Sequence, residues 1–150
     1  MLVYRITGRK HATDISGTGA AMYGGRWNKK GTPVLYTGES KEIALLETVV
    51  HIPPMLVPNL DMVTIEIPDS IIELKPNELP KNWMDYPAPT ILSEIGEQWV
   101  SESKSIALKV PSCIIHTANN YILNCQHPEY YKSVKIVERE SFHFDPRLTS

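Results

Sequence analysis

Apolar and polar positions alternate along Leu2-Val3-Tyr4-Arg5-Ile6, the period of a half-buried strand. Val34-Leu35-Tyr36, behind a Lys-Lys-Gly-Thr-Pro turn, predicts a second short strand, and Asp61 to Ile67 alternates again. Ile106 to Val110, Cys113 to Ile115 and Val134 to Phe142 predict further strands. Between them the period changes. Ser40 suits the N-cap of a helix running to about His51 and ended by Pro53-Pro54. That helix, through Ile43-Ala44-Leu45-Leu46-Glu47-Thr48-Val49-Val50, is apolar on nearly every face, which predicts burial. Thr90 to Ser101 reads as an amphipathic helix with Ile91, Leu92, Ile95 and Trp99 on one side. Asp14 to Gly25 carries Gly17, Gly19, Gly24 and Gly25 among small residues, and reads as a loop whose backbone can approach a ligand closely. Pro68 to Pro89 is Pro-rich and irregular, an elaborated surface segment. The pattern predicts one mixed α+β domain over residues 1–150, with several short strands around a few helices.

Composition narrows the function classes. A chain of 150 residues is long enough to bury one core, and its 12 prolines favour turns and short elements over a helical bundle. Fifteen Lys and Arg against 17 Asp and Glu give a net charge of -2. No basic cluster is denser than Arg9-Lys10 or Lys29-Lys30, so no direct nucleic-acid binding is expected. The N-terminus lacks the apolar core of a signal peptide, and no stretch reaches the roughly 20 apolar residues of a membrane helix. A soluble, cytoplasmic protein without a membrane partner is expected. Cys113 and Cys125 sit in apolar settings outside any CxxC pair, which predicts buried reduced thiols. His11, His51, His116, His127 and His143 show no ligand spacing, so no metal site is expected.

Glu47 is the residue whose setting is odd on its own. Its helical neighbours are Ile43, Ala44 and Val50, so its carboxylate leaves an apolar surface, where an unpaired charge is costly. Either it bends to water or to a nearby Lys, or it serves a site. Arg26, after Gly24-Gly25, is the partner type that a carboxylate or phosphate would want, and is otherwise an ordinary turn arginine. Tyr36 either stacks on a ligand ring or packs in the core with its hydroxyl satisfied. Ser112 lacks a GxSxG elbow, and so reads as a ligand hydrogen-bonder or a turn serine rather than a nucleophile. Asn119, Asn120 and Asn124, with His127-Pro128, read as turn chemistry first and ligand contacts second. Gly17-x-Gly19 does not join a strand to a helix in a βαβ unit, which rejects a Rossmann domain.

Taken in order, these residues form a pattern: Tyr4-Arg5-Ile6, Gly24-Gly25-Arg26-Trp27-Asn28, Val34-Leu35-Tyr36 with Glu39-Ser40, Ala44-Leu45-Leu46-Glu47, Val110-Pro111-Ser112, Asn120 to Asn124 with His127-Pro128, and Phe144-Asp145-Pro146-Arg147-Leu148. The chain resembles the RES domain almost end to end, departing from it in the segment Cys113 to Asn119. The family is named for an arginine, a glutamate and a serine, which map here onto Arg26, Glu47 and Ser112. The resemblance implies an ADP-ribosyltransferase-like fold and the toxin of a bacterial toxin–antitoxin pair, one that breaks the nicotinamide–ribose bond of NAD as a substrate, without a cofactor. It implies a catalytic set of Arg26, Tyr36, Glu47 and Ser112, with Arg5 and Asn120 binding substrate. Glu47 would stabilise the oxocarbenium-like ribose, Arg26 would bind the pyrophosphate or orient the ribose, Tyr36 would stack on nicotinamide, and Ser112 would contact ribose or nicotinamide. Water as acceptor makes a glycohydrolase, inorganic phosphate a phosphorylase, and a protein side chain an ADP-ribosyltransferase. The resemblance also implies an Xre-like antitoxin that blocks the cleft, and a homodimer. The alternative outside enzymology is a binding module in which Arg26 and Glu47 form a structural ion pair.

Overall fold

The computed structural model of the chain describes residues 1–51 and 59–149, so the expected stop at Pro53-Pro54 lies outside the described residues. The elements in chain order are β1 (Leu2–Gly8), α1 (Thr18–Tyr23), β2 (Val34–Gly38), α2 (Lys41–Val49), β3 (Leu60–Glu66), β4 (Ile71–Glu73), α3 (Thr90–Glu102), β5 (Ala107–Pro111), β6 (Asn119–Asn124), α4 (Tyr130–Ser133) and β7 (Lys135–Phe142). This is the mixed α+β content that the alternating and amphipathic segments predict. The strands form one seven-stranded sheet of order β4-β5-β6-β2-β1-β3-β7. β4 runs parallel to β5, and the other neighbours are antiparallel.

Register assigns side chains to the two faces, because alternate residues of a strand point to opposite sides. Tyr4 lies opposite Gly38, Gly38 opposite Asn120, and Tyr36 opposite Ile122, so these residues share one face. On that face Val34, Leu108, Val110 and Ile122 pack with Trp27, Trp83 and the α3 residues Leu92, Trp99 and Val100. The opposite face carries Val3, Leu35, Val63, Ile65, Tyr121 and Leu123, covered by Ala12, Cys125, Tyr130 and Val134. Covering both faces explains why β3 is buried from Leu60 through Ile65 although its sequence alternates. The buried carboxylate of Asp61 on that strand is paired: Arg139 Nε donates to it at 2.7 Å and Arg9 Nε at 3.1 Å. These bonds hold its carboxyl below the usual carboxylate range and tie the end of β1 to β7.

Several local expectations are revised. The glycine-rich segment Asp14 to Gly25 is not all loop: α1 forms between Gly17 (φ 76°) and Gly24 (φ 72°), because Ala20-Ala21-Met22 are good helix formers once left-handed glycines start and stop them. α2 buries Ile43 and Ala44 only, while Leu45 to Val49 are half-buried and Val50 is exposed, since it packs from one side on β1 and β2. Ile91 falls off the α3 stripe, which runs through Leu92, Gly96, Trp99 and Val100. Cys113 to Ile115 is a loop, not a strand, and Asn119 to Asn124 is strand β6 rather than turn. Within the Pro-rich segment, Ile71–Glu73 joins the sheet edge and Pro76–Glu78 forms a 3₁₀ turn. Cys113 is half-buried and Cys125 buried, both as free thiols, and burial pushes Cys125 up to about 11.

Ser40 caps α2 as expected, its Oγ accepting from the Ile43 N–H at 3.1 Å. Ser40→Ala should cost about 1 kcal/mol of stability. In urea unfolding this appears as a lower midpoint with an unchanged slope.

Candidate functional site

The turn from β2 into α2 is tight because Gly38 has no side chain: a Cβ there would lie 2.9 Å from the Ala44 nitrogen. Glu39 fastens the same corner to β6, its carboxylate accepting from the Asn119 N–H at 2.9 Å and its own N–H donating to the Asn119 carbonyl at 3.2 Å. α2 then carries Glu47 to the start of β6. There Glu47 Oε1 accepts from Ser112 Oγ and from Asn120 Nδ2, each at 2.9 Å. Among the described residues no hydrogen bond reaches Oε2, so one carboxylate oxygen is anchored and the other is available to a ligand.

Ser112 is fully buried where β5 leaves the sheet. Its oxygen accepts from the Ile114 N–H at 3.1 Å and the Ile115 N–H at 3.2 Å, while its own N–H donates to the Ala118 carbonyl. A serine hydroxyl has one proton and two lone pairs. Here the proton goes to Glu47 and both lone pairs are engaged by backbone N–H groups. The loop Cys113 to Ala118 wraps this hydroxyl, which accounts for the departure from strand structure there. Asn120 Oδ1 is buried, and among the described residues it has no hydrogen-bond partner.

A second group is built around the loop after α1. The Gly25 N–H donates to the Asn28 carbonyl at 3.0 Å, closing a turn on Arg26 and Trp27. Gly25 is required here, because a Cβ would come within 2.7 Å of the Tyr36 hydroxyl. That hydroxyl donates to Asn28 Oδ1 at 2.6 Å and accepts from the Trp27 N–H at 3.0 Å. Burial pushes Tyr36 up to about 12, against the opposing pull of these bonds and of the Arg26 charge. The buried Asn28 amide donates to the carbonyls of Ala20, Thr32 and Lys29. Arg26, half-buried, donates from Nη1 to the Trp83 carbonyl at 2.8 Å and from Nη2 to the Asp85 carbonyl at 3.1 Å. None of the ion pairs among the described residues involves Arg26. Its charge is therefore held by neutral carbonyls and matches an anionic ligand group.

The sheet brings the two groups together. Tyr36 and Asn120 lie diagonally on β2 and β6, on one face, a spacing of about 7–8 Å. Arg26, Tyr36, Glu47, Ser112 and Asn120 thus gather on the face that α2 and α3 cover. Arg26 and Glu47 do not form the ion pair of the non-enzymatic alternative: each is held by other partners. One expectation is corrected. Arg5 lies on the opposite face, next to Tyr4 in β1, where its guanidinium donates to the Asp14 carbonyl at 3.0 Å and burial lowers its pKa. With the Tyr130 hydroxyl on the Ile15 carbonyl at 2.7 Å, it pins the loop before α1 and does not reach the group. Asn28 was not singled out as a site residue, although it ends the Gly24-Gly25-Arg26-Trp27-Asn28 run that the sequence offered. A separate concavity of about 310 Å³, lined by Arg9, Asn59, Leu60 and Ser141 to Phe144, contains none of these residues.

The RES domain family model matches residues 2–145. The chain is 41% identical over 151 residues to a protein named Toxin Res of Yersinia enterocolitica serotype O:8 / biotype 1B, covering 99% of each. It is 36% identical over 142 residues to the Prs ADP-ribosylating toxin of Sphingobium sp. (strain YBL2), covering 91% of this chain and 88% of that one. Its fold is similar to a chain in the crystal structure of the M. tuberculosis MbcT–MbcA toxin–antitoxin complex, with a TM-score of 0.78 at 19% identity, covering 99% of this chain and 86% of that one.

The raised pKa of Tyr36 has a stability consequence. Between the ordinary tyrosine value near 10 and about 12, the unfolded chain releases this proton while the folded chain keeps it, so stability contributed by the neutral phenol is lost as pH rises through that window. Tyr36→Phe should remove that part of the alkaline decline. The check is a comparison of urea midpoints for the two proteins from pH 9 to 12.

Proposed function

Because the chain belongs to the RES-domain family, which includes these named toxins, we propose that it is the toxin of a toxin–antitoxin pair and acts by breaking the nicotinamide–ribose bond of NAD. The observation that supports this most is a carboxylate anchored by one oxygen, on the same sheet face as an arginine held by neutral carbonyls. When nicotinamide leaves, it takes the electron pair of the glycosidic bond and positive charge develops on the ribose. A carboxylate held beside that carbon favours the charge where it forms, and being pre-oriented it needs no rearrangement as the bond breaks. Ser112 and Asn120 supply that orientation for Glu47. Arg26 meets the pyrophosphate, and the Tyr36 ring forms the wall next to nicotinamide, its hydroxyl tied back to Asn28. Asn120 Oδ1, without an internal donor, is suited to receive one from substrate.

The same bond cleavage begins hydrolysis, phosphorolysis and ADP-ribosylation, and the acceptor distinguishes them. The Sphingobium relative carries the name of an ADP-ribosylating toxin, which keeps protein modification as the second reading. The partner is an antitoxin that covers the Arg26–Glu47 face. Among the described residues no helix is long and apolar enough to cross a membrane.

Incubation of the purified protein with NAD should release nicotinamide, and the co-product identifies the acceptor: ADP-ribose for water, ADP-ribose 1-phosphate when phosphate is added, or ADP-ribosylated protein from a lysate. Glu47→Gln keeps a carboxamide oxygen for Ser112 and Asn120 but removes the charge. It should retain the wild-type melting temperature and lose on the order of 10²–10³-fold in kcat. NAD left intact by the wild-type protein under all three conditions overturns the proposal, as does an undiminished Glu47→Gln variant.

A further inference from the structure

We infer that the Gly96–Glu97 step of α3 positions Arg26 and thereby sets how tightly the site holds the diphosphate of its ligand. The identity of that ligand rests on the function proposed above; the positioning does not. Glycine is unfavourable inside a helix, yet Gly96 lies in the interior of α3. Its reason is contact: a Cβ there would lie 1.7 Å from the Trp27 carbonyl oxygen and 2.7 Å from its carbonyl carbon, both backbone atoms. The helix therefore presses directly on the Trp27–Asn28 peptide, one residue beyond Arg26, and no rotamer of another residue relieves the clash.

One residue on, Glu97 holds the far end of the same loop. Both of its carboxylate oxygens lie within reach of the Thr32 hydroxyl, at 2.7 and 2.9 Å, and among the described residues it makes no other hydrogen bond or ion pair. The Thr32 carbonyl in turn accepts from Asn28, whose Oδ1 receives the Tyr36 hydroxyl. The tip of the Arg26 side chain leans on α3 as well, because Trp83, whose carbonyl accepts from Nη1, packs in one cluster with Leu92 and Trp99. The Trp27 backbone next to Arg26, the loop end at Thr32 and a carbonyl that receives the Arg26 guanidinium all rest on this one helix. Glu97 and Gly96 touch none of Glu47, Ser112 or Asn120 in any bond described, so their effect falls on binding and not on the bond-breaking step.

The test compares Gly96→Ala, Glu97→Ala and Glu97→Gln with Glu94→Ala, an exposed position of the same helix. Readouts are kcat and KM for nicotinamide release from NAD, the thermal midpoint, and the Arg26 Nε–H resonance in the ligand-free protein. Gly96→Ala should raise KM about tenfold or more with kcat within about threefold, the signature of lost uniform binding. Glu97→Ala should do so more weakly, and Glu97→Gln should restore KM because its carboxamide oxygen still accepts from Thr32. The Arg26 resonance should move in Gly96→Ala and Glu97→Ala and stay in place in Glu94→Ala. If Gly96→Ala does not fold, the Glu97→Ala and Glu97→Gln pair decides. Folded Glu97→Ala with an unmoved resonance and unchanged KM overturns the inference. Should the wild-type protein leave NAD intact, the functional proposal fails alone, and the resonance still decides the positioning.

Discussion

The hydrogen bond from the Tyr36 hydroxyl to Asn28 Oδ1, 2.6 Å long, is where strand and loop become one object. On one side of it stands β2, whose place between β1 and β6 is fixed by the sheet. On the other are α1 and the loop after it, whose carbonyls at Ala20, Lys29 and Thr32 converge on a single amide. Without the bond the Asn28 amide loses the contact on its oxygen side and is held only through the carbonyls on its nitrogen side. A phenol tied in this way has its one proton committed to Asn28.

The Glu47 group follows the same logic with different parts. A buried serine spends its only proton on the carboxylate and has its oxygen filled by two backbone N–H groups. That arrangement fixes the angle of the carboxylate. Arg26 likewise gains its orientation from two carbonyls of the segment after the Pro76–Glu78 turn. Both charged groups are thus held by neutral partners and not by each other, so a ligand entering between them need not break an ion pair first.

Much of this was legible in the chain, and the failures have physical causes. β1, β2, α2, α3 and β7 announce themselves because periodicity is local. The setting of Glu47 among Ile43, Ala44 and Val50 was visible as an anomaly for the same reason. α1 was hidden because glycines that usually punctuate loops here bracket a helix. Cys113 to Ile115 looked like a strand because Ile114-Ile115 is apolar, whereas its backbone N–H groups are committed to Ser112 Oγ and its isoleucines face solvent. Opposite charges left an Arg26–Glu47 pair open as the alternative, because complementarity says nothing of register. Arg5 fails similarly: alternation says that it and Tyr4 face opposite ways, and only strand pairing says which way the site lies.

The order of the sheet also bears on when the site can exist. β2 lies between β1, made before it, and β6, made long after; Asn120 is 73 residues beyond Glu47, and Ser112 is 65 beyond. Arg26, Tyr36 and Glu47 all leave the ribosome before either residue that orients the carboxylate. A growing chain therefore carries its charged groups unassembled until β6 emerges and closes against β2. For a protein proposed to harm the cell that makes it, the topology delays the harm until β6 has been made.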